Sequence, residues 1–351
     1  MYMERKGVVY DVGRVLYGDN WRKDYDPAIV RRELDVIKDD LHCNTVRICG
    51  RDVGRLVMAS EYALQQGLEV WFSPELWNKP PGETLDYTVK AAETAEQLRK
   101  QYPDKLVLSV GTELTLFMKG IIEGRTLMGR VKNMRSGVTG IKEGKHNKSL
   151  NDYLSDVTQG VRRVFHGPIT YGSLPFEQVD WELFDIVGID HYRAKQNRAT
   201  YAESLKPLLA HGKPVAVMEF GCCTYQGAED AGGQAFNIVD IKSLVLHQLP
   251  LIGRFIQPKL KGHYVRDEAL QAREITEQLA ILDKAGVNSA FVFTFVHPNN
   301  PYNENPQNDL DMASYSLVKS YGGGKHGTTY PDMTWEPKEA FRTVAEYYLN
   351  K

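Results

Sequence analysis

At 351 residues the chain has room for one large domain or two ordinary ones, and an apolar share of 42% excludes a disordered or collagen-like polymer. Lys and Arg number 43 against 45 Asp and Glu, a net charge of −2, so the whole-chain balance offers no electrostatic case for nucleic acid or a membrane surface as partner. No apolar run reaches the roughly 18–20 residues of a membrane-spanning helix; the start MYMERKG lacks a signal-peptide pattern; and Cys43, Cys49, Cys222 and Cys223, with no Cys-x-x-Cys spacing, predict reduced thiols, a cytoplasmic location, no zinc and no cofactor.

Short apolar strands alternate with amphipathic helices from the first residues onward, the rhythm of a parallel sheet. Strand one is expected over residues 7–17. Its helix opens at Asp26-Pro27, a capping acid followed by proline, and buries Val30, Leu34, Ile37 and Leu41. Strand two, 43–49, places Thr45, Arg47 and Cys49 on one face and Val46 and Ile48 on the other. A helix from Asp52 to Gly67 leads to strand three, 68–73, which runs into Glu75 and Trp77. A further helix, about 84–102, precedes strand four.

Strand four lies in the run 105–117 (KLVLSVGTELTLF) and delivers Thr112 and Glu113 to its end. Residues 118–149, rich in Gly and Lys, read as a loop inserted at the mouth, with a helix resuming at 150–165. Strand five is 168–172. Strand six, 184–192 (FDIVGIDHY), ends in Asp190, His191 and Tyr192. After a helix at 199–211, the run 213–225 (KPVAVMEFGCCTY) supplies strand seven and Glu219. A second insertion, 226–264, is partly apolar over 241–255 and predicts helices of its own. A helix from Asp267 to Gly286 and strand eight, 287–295, follow. A long loop, 297–335, precedes the last helix, which is expected to open at Glu336-Pro337.

Eight parallel strands close into a barrel, so the fold class is α/β: a single (β/α)8 TIM barrel over 1–351, with enlarged loops after strands four, seven and eight. No repeat or internal linker divides the chain. A doubly wound open sheet competes, but no G-x-G-x-x-G follows strand one, and Gly322-Gly323-Gly324-Lys325 is not a phosphate-binding loop. Arg31-Arg32 and Arg162-Arg163 read as solvated helix faces.

In a barrel the strand ends converge. Here they bring together Arg47, Glu75 or Trp77, Thr112, Glu113, Tyr171, Asp190, His191, Tyr192, Glu219, and Thr294 with Phe295. That mixture suits a sugar: carboxylates for the glycosidic bond, aromatics for the apolar ring faces, polar side chains for hydroxyls. Either glutamate alone would read equally as an ordinary strand-end carboxylate with a basic neighbour; the pair, each at the end of its own buried strand, points to glycoside chemistry.

The runs Asn44-Thr45-Val46-Arg47-Ile48, Gly111-Thr112-Glu113-Leu114 and Met218-Glu219-Phe220-Gly221 resemble the (β/α)8 glycoside hydrolases that carry catalytic glutamates on strands four and seven. The Gly-Thr-Glu-Leu form is similar to family 113 β-mannanases. Residues 184–193 (FDIVGIDHYR) and 212–225 resemble uncharacterised bacterial and fungal chains often labelled abortive infection proteins. The resemblance implies a retaining hydrolase of a β-linked oligosaccharide or glycoside, with Glu113 as acid/base and Glu219 as nucleophile. It also implies that Arg47 and Tyr192 orient Glu219. Thr112 stands where most of that group has an asparagine for the sugar 2-hydroxyl, and the frequent tryptophan at the end of strand eight is absent, with Phe293 and Phe295 nearest.

The expected substrate-binding set is therefore Arg47, Trp77, Thr112, Asp190, His191, Tyr192 and Phe295, with a carbohydrate as partner. Arg47 reads also as the partner of a barrel carboxylate, His191 equally as a hydrogen-bonded core residue, and Trp77 and Trp335 as core or as sugar platforms. Cys222 and Cys223 read as small buried hydrophobes. The competing function is a non-catalytic sugar-binding or phage-defence barrel. An aldolase or isomerase would want a Schiff-base lysine or metal ligands at strand ends, which the sequence does not place there.

Overall fold

The apolar runs form β1 (Arg5–Asp11), β2 (Thr45–Gly50), β3 (Glu69–Pro74), β4 (Leu106–Thr112), β5 (Ile169–Ser173), β6 (Val187–Asp190), β7 (Val215–Phe220) and β8 (Ser289–Val292). The computed structural model describes residues 3–16, 18–136, 140–247, 249 and 253–351. Each strand pairs in parallel with the next, and β8 returns to β1 through Arg5↔Ser289 to Val8↔Val292, closing the expected barrel. Both strand faces are buried, and the alternation along each strand sorts them into two layers. Val46, Ile48, Phe72 and Leu108 face the helices, whereas Val9, Cys49, Trp71, Val107, Met218 and Phe291 fill the axis. Each large apolar side chain so buried contributes about 1.5–3 kcal/mol.

Trp71 and Phe291 form the bulk of the plug, ring centroids 4.8 Å apart. Gly7 makes room for it: a Cβ there would lie 2.5 Å from the Phe291 ring. This apolar floor leaves the polar chemistry one layer higher, at the C-terminal ends of the strands.

The long helices among the described residues pack around the barrel: α1 (Pro27–Asp39), α2 (Val53–Gln65), α3 (Pro81–Gln101), α4 (Lys145–Arg162), α5 (Glu268–Ala285) and α6 (Glu339–Leu349). Their starts follow local chemistry. Asp26, Asp52 and Asp267 accept hydrogen bonds from the backbone N–H of Ala28, Arg55 and Leu270 at 2.8–3.0 Å. Gly286 closes α5 at φ +88°. Between β5 and β6 only a 3-10 turn remains, Trp181–Leu183, and the helix expected over 199–211 shrinks to the short turns Glu203–Leu205 and Lys206–Leu209.

Other expectations shift as well. Strand one stops at Asp11, whose carboxylate accepts from the N–H of Gly13 and Arg14 at 2.6 and 2.8 Å and turns the chain. Val15–Leu16 then pairs with Asp19–Asn20 in a short ribbon, while Tyr17 lies outside the described residues. The insertion after β4 holds a helix at Leu127–Arg135, and α4 begins five residues earlier than the expected Leu150, at Lys145. The expected opening of the last helix is instead a strand, Trp335–Pro337, paired antiparallel with Val318–Ser320. The buried Lys338 ammonium, 2.9 Å from Asp311, anchors the chain before α6 begins. The insertion after β7 contains the helices Ala228–Ala231 and Ile241–His247; its residues 248 and 250–252 lie outside the described residues.

Candidate active site

Arg47 rises from β2 into the barrel and is fully buried. Its Nη1 donates to Glu219 Oε1 at 2.9 Å and to the Met218 carbonyl at 3.1 Å, its Nε to Ser73 Oγ at 3.1 Å, and its Nη2 to Glu75 Oε1 at 3.3 Å. The turn after β1 aims a second guanidinium at the same place. Arg14 grips Glu75 with two hydrogen bonds, 2.6 and 2.9 Å, and reaches Glu219 Oε1 at 2.9 Å. Tyr192, just past β6, donates its hydroxyl proton to Glu219 Oε2 at 3.2 Å. Glu219 is thus an ion-paired carboxylate held from three directions, its position set by β1, β2 and β6 as well as by its own strand.

Across β4, β5 and β6 the setting changes. Thr112 donates to Asp190 Oδ2 at 2.8 Å, and this bond crosses over Gly172 of β5. A Cβ on Gly172 would lie 2.4 Å from Thr112 Oγ1 and 3.2 Å from Asp190 Oδ2, so a larger residue would break the pair. Asp190 is buried, opposite Glu219 in the β6–β7 register, and its Oδ1 has no hydrogen-bond partner. Arg47 stands 4.0 Å away.

Glu113 caps the turn that follows β4. Its backbone is left-handed, φ 46° and ψ 40°, a conformation costing roughly 1–3 kcal/mol for a residue with a Cβ. The Glu113 N–H donates to the Gly172 carbonyl at 2.8 Å, and that of Leu114 to the Tyr171 hydroxyl at 2.8 Å, which hold the turn in place. The side chain is half-buried, and among the described residues no hydrogen bond reaches its carboxyl.

The charges and burial at the mouth shift the proton affinities of its acids. Glu75, Glu113, Asp190 and Glu219 share the mouth with the guanidinium groups of Arg14 and Arg47. Burial, then the negative charges of Asp190 and Glu219, hold the Glu113 carboxyl well above the usual carboxylate range. Asp190 is raised in the same way, by burial and then by Glu219, against the pull of Arg47. Glu75 is also raised by burial, with Arg14 and Arg47 opposing.

An aromatic wall borders the acids. Trp77 stacks on Phe117 at 4.2 Å and meets the edge of Trp21 at 5.3 Å. The Arg14 guanidinium sits over Trp21, Trp77 and Phe293 at 6.0, 5.6 and 5.3 Å. Trp77 itself is mostly buried, with its indole N–H unpartnered.

Arg47, Thr112, Glu113, Asp190, Tyr192 and Glu219 therefore gather at one mouth, and Trp77 lies beside them. Two expected contacts do not. His191 points away from Asp190: its ring stacks on Tyr201 at 4.2 Å and its Nε2 lies 3.0 Å from the Tyr201 carbonyl, a core histidine whose proton affinity burial lowers. Phe295 is fully buried among Tyr10, Trp335 and Phe341 and belongs to the packing beneath α6; Phe293, bonded to Thr294 through a cis peptide, is the strand-eight aromatic at the mouth. Trp335 is core too, its indole N–H donating to Glu33 at 3.0 Å. Cys222 and Cys223 are buried free thiols whose pKa values burial raises.

Arg14 and Trp21 were not legible as site residues, because Val15 and Leu16 prolong the apolar pattern and hide the end of strand one. The signal available was Asp11-Val12-Gly13, an acid and a glycine marking a turn. Among the described residues no three His, Cys, Asp or Glu side chains gather as a metal ion would require.

No family model matches the chain, and no curated protein matches its sequence. Solved structures do match its shape. A GH113 β-1,4-mannanase aligns with a TM-score of 0.60 at 12% identity, over 100% of this chain and 99% of that one. The GH113 β-mannanase AaManA from Alicyclobacillus acidocaldarius, in complex with ManMIm, aligns at 0.55 and 14% identity, over 99% and 98%. A β-glucuronidase from Ruminococcus gnavus, in complex with uronic deoxynojirimycin, aligns at 0.59 and 13% identity, over 99% of this chain but 50% of that one. At these identities the likeness establishes the (β/α)8 barrel.

Proposed function

We propose that the chain is a retaining glycoside hydrolase acting on a β-linked oligosaccharide or glycoside, with Glu219 as nucleophile and Glu113 as acid/base. One observation carries the reading: two carboxyls at one barrel mouth sit in opposite environments. Glu219 is ion-paired with Arg14 and Arg47, whereas burial and neighbouring acids favour the protonated form of Glu113. Splitting two carboxyls in this way assigns an acid and a nucleophile.

In the first step the Glu219 carboxylate attacks the anomeric carbon while Glu113 gives its proton to the departing oxygen. The glycosyl ester that forms removes the negative charge of Glu219, one of the causes that raise Glu113. Glu113 then loses proton affinity when it must act as a base, taking a proton from the water that cleaves the ester. Thr112 already gives its hydroxyl proton to Asp190, so toward a sugar 2-hydroxyl it can only accept. The Gly-Thr-Glu-Leu likeness to family 113 and the β-mannanase and β-glucuronidase fold neighbours support a β-glycoside.

Aryl β-glycosides and β-linked oligosaccharides screened beside Glu219→Ala test the assignment, with NMR of the first-formed product anomer. Turnover with retained configuration, absent from the variant, is the expected result. Inverted configuration overturns the mechanism. Wild-type turnover equal to that of the variant across the panel overturns the enzyme in favour of a sugar-binding barrel.

A further inference from the structure

We propose that Tyr171 and Glu177 are positioning residues for Glu113, a clamp that aims its carboxyl by holding its backbone; this rests on the acid/base role given to Glu113 above. Three successive N–H groups at the end of β4 donate toward β5 and the loop beyond it. Glu113 donates to the Gly172 carbonyl at 2.8 Å, Leu114 to the Tyr171 hydroxyl at 2.8 Å, and Thr115 to Glu177 Oε1 at 3.2 Å. On the other side the Glu113 carbonyl accepts from the N–H of Leu116 and Phe117 at 2.9 and 3.0 Å, which forms the single helical turn Leu114–Phe117. The backbone of Glu113 is thus bonded on both sides, while among the described residues no hydrogen bond reaches its carboxyl. The direction of that carboxyl is therefore set by the left-handed backbone, φ 46° and ψ 40°.

The clamp is itself braced. Tyr171 is fully buried, and its hydroxyl gives its proton to Glu177 Oε2 at 3.0 Å while it accepts from Leu114. Burial, and then the charge of Glu177, keep that phenol protonated. Glu177 Oε2 also accepts from the Leu174 N–H at 2.9 Å, and the Glu177 N–H returns to the Leu174 carbonyl at 3.0 Å. Closing the loop after β5 would need only these Leu174 contacts. The bonds to Tyr171 and Thr115 lead across to β4 and end on the two residues that follow Glu113.

Leu114 and Thr115 are both buried, so without the clamp their N–H groups would lack partners and the left-handed turn would be free to relax. A proton donor tolerates little movement: a misplacement of about 1 Å can cost on the order of 100-fold in rate. Glu177 also acts through its charge, which adds to burial, Asp190 and Glu219 in raising the proton affinity of Glu113.

Kinetics of Tyr171→Phe and Glu177→Gln beside Glu113→Ala, on a substrate from the screen and its activated aryl analogue, test the clamp. Tyr171→Phe should lower kcat about 10–100-fold where the leaving group is poor and far less where it is activated, with KM unchanged. Made in the Glu113→Ala background it should cost nothing more, because the clamp acts only through the acid. Glu177→Gln should show the same leaving-group dependence. It should also move the alkaline limb of kcat/KM to lower pH, since removing its charge lets Glu113 lose its proton more readily. If Tyr171→Phe unfolds, Glu177→Gln decides by both readouts. Equal losses for all leaving groups, a further loss in the Glu113→Ala background, or an unmoved limb in Glu177→Gln overturns the clamp. In those cases the leaving-group dependence of Glu113→Ala itself keeps the acid assignment standing. Its absence overturns the acid assignment and the clamp together.

Discussion

Glu219 accepts hydrogen bonds from Arg14, Arg47 and Tyr192, whereas among the described residues no donor reaches the carboxyl of Glu113. The first is part of a buried, charge-balanced lattice on the β1, β2, β3 and β7 side of the mouth. The second perches on a left-handed turn beside Asp190, whose Oδ1 accepts no hydrogen bond and lies 4.0 Å from Arg47. One carboxyl is fixed in place by its partners, and the other is held by its turn alone. A half-buried acid without a hydrogen-bond partner, among neighbouring carboxyls, costs stability.

The widest gap between the two sides should appear in turnover. On the proposed mechanism Glu219→Ala should lower it by several orders of magnitude for every substrate, because it removes the group that would form the ester. Glu113→Ala should slow substrates with poor leaving groups far more than activated aryl glycosides, and azide should partly rescue the latter. Equal losses for all leaving groups, with no azide effect, would assign the acid elsewhere.

In stability the order is reversed. Arg47→Ala leaves Glu219 and Glu75 short of a buried partner and should cost about 3–5 kcal/mol, read by denaturant unfolding. Glu113→Gln should instead stabilise. A carboxyl raised above its unfolded value of 4.5 contributes stability present below that value and lost as pH rises through the folded one. The gain of Glu113→Gln over wild type should therefore grow from acid toward neutral pH. A gain that stays constant with pH would remove burial of this acid as its cause.

A smaller effect probes Asp190. Its charge raises the proton affinity of Glu113, so Asp190→Asn should move the alkaline limb of kcat/KM to lower pH. An unmoved limb would mean that Asp190 is neutral during turnover. The mildest change is Tyr192→Phe, which deletes one 3.2 Å hydrogen bond to Glu219 and should lower kcat/KM about tenfold with the fold intact.

How far the sequence exposed this contrast depends on which rule governs each residue. Strand periodicity located both glutamates, and the alternation along β2 correctly turned Arg47 toward the axis with Cys49. Periodicity fails where strands end. Past Asp190 it could not separate the mouth-facing acid from His191, which packs on Tyr201. Past Val292 it favoured Phe295 over Phe293, although Phe295 belongs to the core around Trp335. Arg14 was hidden for a related reason: its place depends on a turn made by Asp11, a local hydrogen-bond choice that an apolar count does not register. The environment of Glu113 depends on Asp190, Gly172 and Thr112 from three strands, and no single stretch of sequence contains it.

The proposed mechanism requires Glu219 to form a covalent bond to sugar. Once the screen identifies a substrate, its 2-deoxy-2-fluoro analogue with an activated leaving group should trap the ester, read by intact mass and peptide mapping. One glycosyl adduct per chain on the peptide containing Glu219, absent from Glu219→Ala and still formed in Glu113→Ala, is the predicted result. An adduct on Glu113 or another residue, or continued hydrolysis with none, would contradict it.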